Sequence, residues 1–143
     1  MTRRFFLALV VSAFIALIPL TAFAEGIAVI SGSSFPKDSL SASDVKDIYL
    51  GKTALISGVK VKPLDQKAGL KSDFLQRAVG MSEDDYKGYW IKRVFREGGN
   101  PPAVKTASDE VVSAVKDEAG SIGYITESEA KSKGGIKVLL VLK

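Results

Sequence analysis

Residues 66–72 contain the groups best suited to hold an anion. The segment reads Gln-Lys-Ala-Gly-Leu-Lys-Ser and lies between an apolar run predicted as a strand and one predicted as a helix. Amides in the first turn of a helix lack intrahelical partners and carry partial positive charge, which favours an oxyanion. Glycine permits close approach to the backbone, and lysine adds positive charge. The predicted ligand-binding residues here are Gln66, Lys67, Gly69, Lys71 and Ser72; a plain strand-to-helix turn with solvated lysines is the alternative.

A second polar loop follows the first predicted strand, residues 26–30. It reads Ser31-Gly32-Ser33-Ser34, and it offers hydroxyls and backbone amides. Ser33 and Ser34 are predicted to bind the same ligand if both loops converge at one end of the sheet. Serine and glycine after a strand most often form a turn, so this prediction depends on that convergence.

The sequence excludes the commonest catalytic and metal-binding chemistry. It has no histidine and no cysteine, which rules out Ser-His-Asp and Cys-His catalysis and removes the usual transition-metal ligand. The carboxylate pairs Asp84-Asp85 and Asp109-Glu110 lie at predicted helix starts, where they offset the helix dipole. We therefore predict no catalytic residue, no metal site, no cofactor and no enzymatic activity.

An aromatic stripe is the remaining candidate for ligand contact. Tyr86, Tyr89, Trp90 and Phe95 could stack on sugar rings or bases, but at helical spacing they are predicted to be core residues.

The first 24 residues have the pattern of a secretory signal peptide. Arg3 and Arg4 precede the apolar run 5–18, and Ala22-Phe23-Ala24 suits cleavage before Glu25. The run is shorter than the roughly 20 apolar residues of a spanning helix, although a retained membrane anchor is the alternative. The paired arginines also fit a twin-arginine signal, with ordinary Sec export favoured. We expect a periplasmic protein.

The predicted mature chain, residues 25–143, is large enough for one domain. Of the 20 Lys and Arg residues, Arg3 and Arg4 lie in the leader, which leaves 18 against 16 Asp and Glu and a net charge of +2. Nucleic-acid binding is not indicated by so small a charge. Because no cysteine is available for acylation, no stable membrane anchor is expected after cleavage.

Apolar periodicity predicts four strands alternating with four helices, and hence a single layered α/β domain. The predicted strands are 26–30, 59–64, 122–125 and 136–142. The second is interrupted near its end by Pro63, and the last is predicted to be buried on both faces. Helices are predicted from the Ser41–Asp44 capping box, over 68–79, from a Ser82–Asp85 capping box, and from a Ser108 cap. Residues 128–135 receive no assignment.

The order of motifs resembles the periplasmic phosphate-binding proteins of ABC transporters. The resemblance is carried by Leu-Ser-Ala-Ser-Asp-Val-Lys-Asp-Ile-Tyr-Leu-Gly-Lys at 40–52, Gly-Val-Lys-Val-Lys-Pro-Leu-Asp-Gln at 58–66, Phe74, Tyr89-Trp90, Phe95, Pro101-Pro102 and Ala-Gly-Ser-Ile-Gly-Tyr-Ile at 119–125. It implies a type II solute-binding fold in which two lobes, joined by a hinge, hold an oxyanion. A two-lobed receptor needs about twice this length. We therefore expect one lobe, with 27–30 and 136–142 in place of the hinge strands.

The ligand loop departs from the family pattern, which is Ser-Gly-Thr-Arg, two variable residues and Phe. Aligned on Phe74, the first four positions here are Ala68, Gly69, Leu70 and Lys71. Glycine and a cation are kept, whereas both hydroxyl donors are missing. Two lost hydrogen bonds to a charged ligand correspond to binding weaker by about a hundredfold or more.

These observations predict an exported protein that binds an oxyanion, with phosphate favoured, for ABC transport or sensing. The expected partners are the anion and an ABC permease, or a second copy of the chain. The alternative is a protein-interaction module that retains the fold with a degenerate ligand site.

Overall fold

The computed structural model describes residues 25–67 and 69–143, and the predicted signal peptide lies outside that part of the chain. The strands are β1 (Ile27–Gly32), β2 (Leu55–Ile56), β3 (Val59–Lys60), β4 (Lys62–Gln66), β5 (Ala103–Lys105), β6 (Ser121–Thr126) and β7 (Ile136–Leu142). The helices are α1 (Ala42–Tyr49), α2 (Leu70–Phe74), α3 (Glu83–Glu97), α4 (Ser108–Asp117) and α5 (Glu127–Ser132). A π-helical turn, Leu75–Val79, continues α2. None of the helices in this part of the chain is long and apolar enough to cross a membrane.

Five strands form one mixed sheet in the order β5-β4-β6-β1-β7, and β2 and β3 form a separate hairpin. Strand β4 runs parallel to β5 and β6, whereas β1 runs antiparallel to β6 and β7. The carboxyl ends of β4, β5 and β6 therefore share one end of the sheet, which we call the β4 end. The carboxyl end of β1 lies at the opposite end. The predicted α/β class is confirmed, but four strands and four helices were too few.

The sheet has a hydrophobic core on each face because alternate side chains of a strand point to opposite sides. Ile27 and Val29 of β1 join the larger core with α1, α2, the π-helical turn and α3. Ala28 and Ile30 join the smaller core with α4 and α5. All six residues of β1 are consequently buried.

Three aromatic rings join the helices of the larger core to the sheet. The Phe74 ring stacks on the Tyr124 ring with 3.8 Å between centroids, and it meets the Tyr49 ring edge-on at 4.7 Å. The Tyr49 hydroxyl donates a 2.8 Å hydrogen bond to the Leu64 carbonyl. The aromatic packing thus connects α1 and α2 with β4 and β6.

The helix starts agree with the sequence in part. The Ser41–Asp44 capping box is present, and Ser82 accepts a hydrogen bond from the Asp85 amide. The predicted Ser108 cap is wrong, because α4 begins one residue earlier, with Ala107 as its N-cap. The Ser108 hydroxyl instead donates to Glu129 at 3.2 Å.

Three segments differ from their predicted form. The predicted strand 59–64 is divided at Val61 into β3 and β4, and β4 continues past Pro63 to Gln66. Residues left unassigned form α5, which begins with a capping box between Thr126 and Glu129. Strand β7 lies at the edge of the sheet and is not buried on both faces, because only Leu139 and Leu142 of its seven residues are buried.

The aromatic stripe of α3 is only partly a core feature. Tyr86 and Trp90 are buried and Tyr89 packs against the core, as predicted. Phe95 is 91% exposed, so its predicted core position is wrong.

This packing predicts very different costs for removing two phenylalanine rings. Phe74→Ala should lower the free energy of unfolding by about 3–5 kcal/mol, because it leaves a cavity between two other rings. Phe95→Ala, at an exposed position, should change it by less than about 0.5 kcal/mol. Urea denaturation of dilute protein measures both, and equal losses would contradict the assignment of these rings.

Candidate functional site

The loop after β4 borders a groove of about 1120 Å³ at the β4 end of the sheet. Asp65, Lys67 and Lys71 belong to its lining. Residues of helix α3 line it as well, together with Pro101, Pro102 and Val104. The groove contains two of the predicted anion-binding lysines.

The two lysines are held in different ways. The Lys67 backbone amide donates a 3.0 Å hydrogen bond to the Lys105 carbonyl, which fixes the loop beside β5 and leaves the side chain exposed. The Lys71 ammonium lies 5.7 Å from the centroid of the Tyr86 ring, within the range of a cation–π contact. These two lysines therefore contribute positive charge to the groove on either side of Gly69.

Gly69 lies between these lysines and is exposed. Its φ of −53° and ψ of −16° are ordinary right-handed helical values, so the backbone does not require glycine there. A Cβ atom at this position would meet nothing within 4 Å. The open space leaves the backbone accessible to a ligand.

Ser72 and Gln66 are less suited to ligand contact than predicted. Ser72 is exposed on α2 and is absent from the described lining of the groove. The Gln66 side-chain amide donates a 2.6 Å hydrogen bond to the Tyr124 carbonyl, and the residue is 2% exposed. Gln66 therefore connects the end of β4 to β6, and its predicted ligand role has no support in this geometry.

Ser33 and Ser34 do not meet the other predicted residues. They follow β1, whose carboxyl end is opposite the β4 end because β1 runs antiparallel to β6. Gly32 before them packs against the Val115 carbonyl in the last turn of α4. The predicted convergence of the two loops on one ligand is therefore wrong.

A buried carboxylate, that of Asp65, belongs to the lining of the groove together with Lys67 and Lys71. Asp65 accepts hydrogen bonds from the Tyr124 hydroxyl at 3.0 Å and the Tyr86 hydroxyl at 3.3 Å, one on each oxygen. Burial raises the pKa of Asp65, although the Lys71 charge and both hydroxyls oppose this shift. Burial and the Asp65 charge raise the pKa values of Tyr86 and Tyr124, so both phenols remain proton donors.

Sequence reasoning missed Asp65, because its role depends on which of the two cores its neighbour Leu64 joins. Leu64 belongs to the smaller core, so its neighbour must point towards the opposite face. That face carries the buried rings of the larger core, and an aspartate there needs hydrogen-bond donors. The described residues contain no group of acidic side chains arranged to hold a metal ion.

Comparisons with known proteins define the fold of this site. No family model and no curated protein matches the sequence. One similar solved structure is from Clostridium perfringens and is described as a phosphate ABC transporter substrate-binding protein with bound phosphate. It has a TM-score of 0.63 and 20% identity, over 80% of this chain and 44% of that chain.

Two further structures share the same architecture. An ABC-type phosphate transport receptor from Vibrio cholerae has a TM-score of 0.61 and 15% identity, over 80% of this chain and 45% of that chain. A possible phosphate-binding protein from Planctomyces limnophilus has a TM-score of 0.56 and 9% identity, over 80% of this chain and 40% of that chain. The chain spans less than half the length of each of the three structures, and its fold is that of one lobe of a phosphate-binding periplasmic protein.

The environment of Asp65 predicts a pH-dependent cost of folding. A raised pKa in the folded state means that folding favours the protonated form of Asp65. The stability that this form adds is fully present below the unfolded-state pKa of about 3.9, and it is lost as pH rises through the folded-state pKa. The stability of the wild type relative to Asp65→Asn should therefore fall as pH rises. Urea denaturation over a pH series measures this difference.

Asp44 supplies the matched control with the opposite sign. Its backbone and side-chain hydrogen bonds with Ser41 lower its pKa. The stability of the wild type relative to Asp44→Asn should therefore rise as pH increases from the acid range and then level off. A flat difference for Asp65→Asn would contradict the assigned environment of that carboxylate.

Proposed function

We propose that this protein is an exported solute-binding-type protein that holds an oxyanion, with phosphate as its ligand, in the groove at the β4 end. The observation that carries the proposal is the pair Lys67 and Lys71, flanking an open backbone at Gly69. The similarity of this fold to a protein solved with bound phosphate supports the choice of ligand.

Two kinds of group would act directly on the anion. The lysine ammonium groups supply positive charge, and the amides at the start of α2 are directed away from the helix without intrahelical partners. The Tyr86 ring restricts the Lys71 side chain to the groove wall. A bound anion would also favour the protonated form of Asp65, because a neighbouring negative charge raises the pKa of a carboxylic acid.

The proposed role is delivery of phosphate to an ABC permease, or sensing of phosphate, outside the cytoplasm. The named activities of the similar structures support this role, as does the leader pattern at residues 1–24. A non-transport interaction module is the second candidate. It is favoured by the apolar side chains that α3 presents to solvent.

Calorimetric titration of phosphate into residues 25–143 at low ionic strength tests the ligand. Lys67→Met and Lys71→Met should each weaken binding by about tenfold to about a hundredfold, since a bond to a charged group contributes roughly 1.5–3 kcal/mol. Lys37→Met is the control, because Lys37 follows β1 at the opposite end of the sheet and should leave binding unchanged. Equal losses at all three positions would indicate only a general charge effect.

Gly69 offers a sharper matched pair. Gly69→Ala should preserve binding, because the backbone angles and the surrounding space accept a methyl group. Gly69→Asp places a carboxylate in the same space and should abolish measurable binding by repulsion. Equal binding by the two variants would place the ligand elsewhere, and no heat with wild-type protein would refute the proposed ligand.

Export is tested by mass spectrometry of the protein recovered from the periplasm of an expressing bacterium. The recovered chain should begin at Glu25, as expected for cleavage after the Ala22-Phe23-Ala24 segment. Recovery of the uncleaved chain in the membrane fraction would instead support the retained anchor.

A further inference from the structure

Helix α3 presents an unusual amount of apolar surface to solvent. Ile91 is 61% exposed, Val94 39% and Phe95 91%, and Val104 beyond the end of α3 is 47% exposed. All four side chains line the same groove. Single exposed hydrophobic residues are normal, but a contiguous group of this kind marks an interaction surface. We call these four residues the α3 face.

Gly88 makes this part of the helix accessible to a second helix. It lies one turn before Ile91 in the middle of α3, and a Cβ atom there would meet nothing within 4 Å. Glycine inside a helix costs about 1 kcal/mol relative to alanine. Its small size permits close approach of another backbone, which a larger residue would prevent.

The charges beside the α3 face are distributed asymmetrically along the helix. Glu83 and Asp84 border the groove in the first turn, whereas Lys87, Lys92 and Arg96 border it farther along the helix. A second α3 in antiparallel orientation would therefore place acidic side chains beside basic ones at both ends. Such self-complementarity is what a two-fold symmetric interface requires.

We propose that two copies of this chain associate by antiparallel packing of α3 against α3, with Phe95 of each copy packed against the α3 face of the other. The two-fold axis passes close to Ile91, which lies between Asp84 and Arg96 on the helix. Association removes the α3 face from water and pairs Asp84 with Arg96 of the second copy. This inference goes beyond the proposed function and does not rest on phosphate binding.

Sedimentation equilibrium of residues 25–143 across the micromolar to millimolar range tests the association. The wild type should show a monomer–dimer equilibrium, and Phe95→Glu should shift it to monomer by placing charge within the apolar contact. Leu55→Glu is the matched control, because Leu55 is 62% exposed on β2 and lies outside the groove lining. That variant should associate like the wild type.

Charge exchange tests the antiparallel arrangement. Asp84→Arg and Arg96→Asp should each weaken the dimer by about threefold to about tenfold, as expected for exposed ion pairs present twice. The double variant restores opposite charges and should recover most of the wild-type affinity. Added salt should reduce all of these differences.

Several outcomes would overturn the inference. A wild type that stays monomeric at every concentration would do so, as would a dimer that Phe95→Glu leaves intact. A double charge variant weaker than both single variants would exclude the antiparallel orientation. The far-ultraviolet spectrum and the thermal midpoint of dilute Phe95→Glu should match those of the wild type, and its phosphate titration is read separately, so the two proposals can fail independently.

Discussion

The hydrogen-bonded burial of the Asp65 carboxylate determines how the groove is built. Its two oxygens accept from Tyr86 on α3 and Tyr124 on β6, so one side chain connects the helix wall of the groove to the sheet. The Tyr86 hydroxyl also lies 3.1 Å from the Tyr49 carbonyl at the end of α1. A buried acceptor without donors costs about 1–3 kcal/mol, and more when charged, so these tyrosines are structural requirements. The segment after β4, which carries Lys67, and helix α3 are consequently held at a fixed separation.

The mixed direction of the strands determines which loops can share a ligand. Parallel pairing of β4 with β5 and β6 brings the loops after those strands, including Lys67, to one end of the sheet. The antiparallel direction of β1 carries its serine loop to the other end. The groove is therefore lined by the segment after β4 together with α3, and α3 contributes both apolar and charged side chains. One proposal concerns the lysines after β4 and the other concerns the apolar residues of α3, and each has its own test.

The features that could be predicted from the sequence are those that depend on residues close together in the chain. The Ser41–Asp44 box and the strand–helix alternation were correct because capping and periodicity are short-range effects. The convergence of Ser33 with Lys67 was wrong because strand direction depends on pairing between distant segments. Phe95 was also misplaced, although at 100° per residue it lies about 180° around the helix from Tyr86, and that angle could have identified an exposed position.

The position of β1 has a consequence for how the chain folds during synthesis. It is the first strand described, yet Ile27 pairs with Thr126 and Leu142, which emerge about a hundred residues later. The centre of the sheet cannot form until nearly the whole chain is available, so folding waits for the carboxyl terminus. Contacts this distant in sequence slow folding and prolong the lifetime of the extended chain. A polypeptide of this topology stays extended for most of its synthesis, and a truncation before β7 would remove one of the two pairing partners of β1.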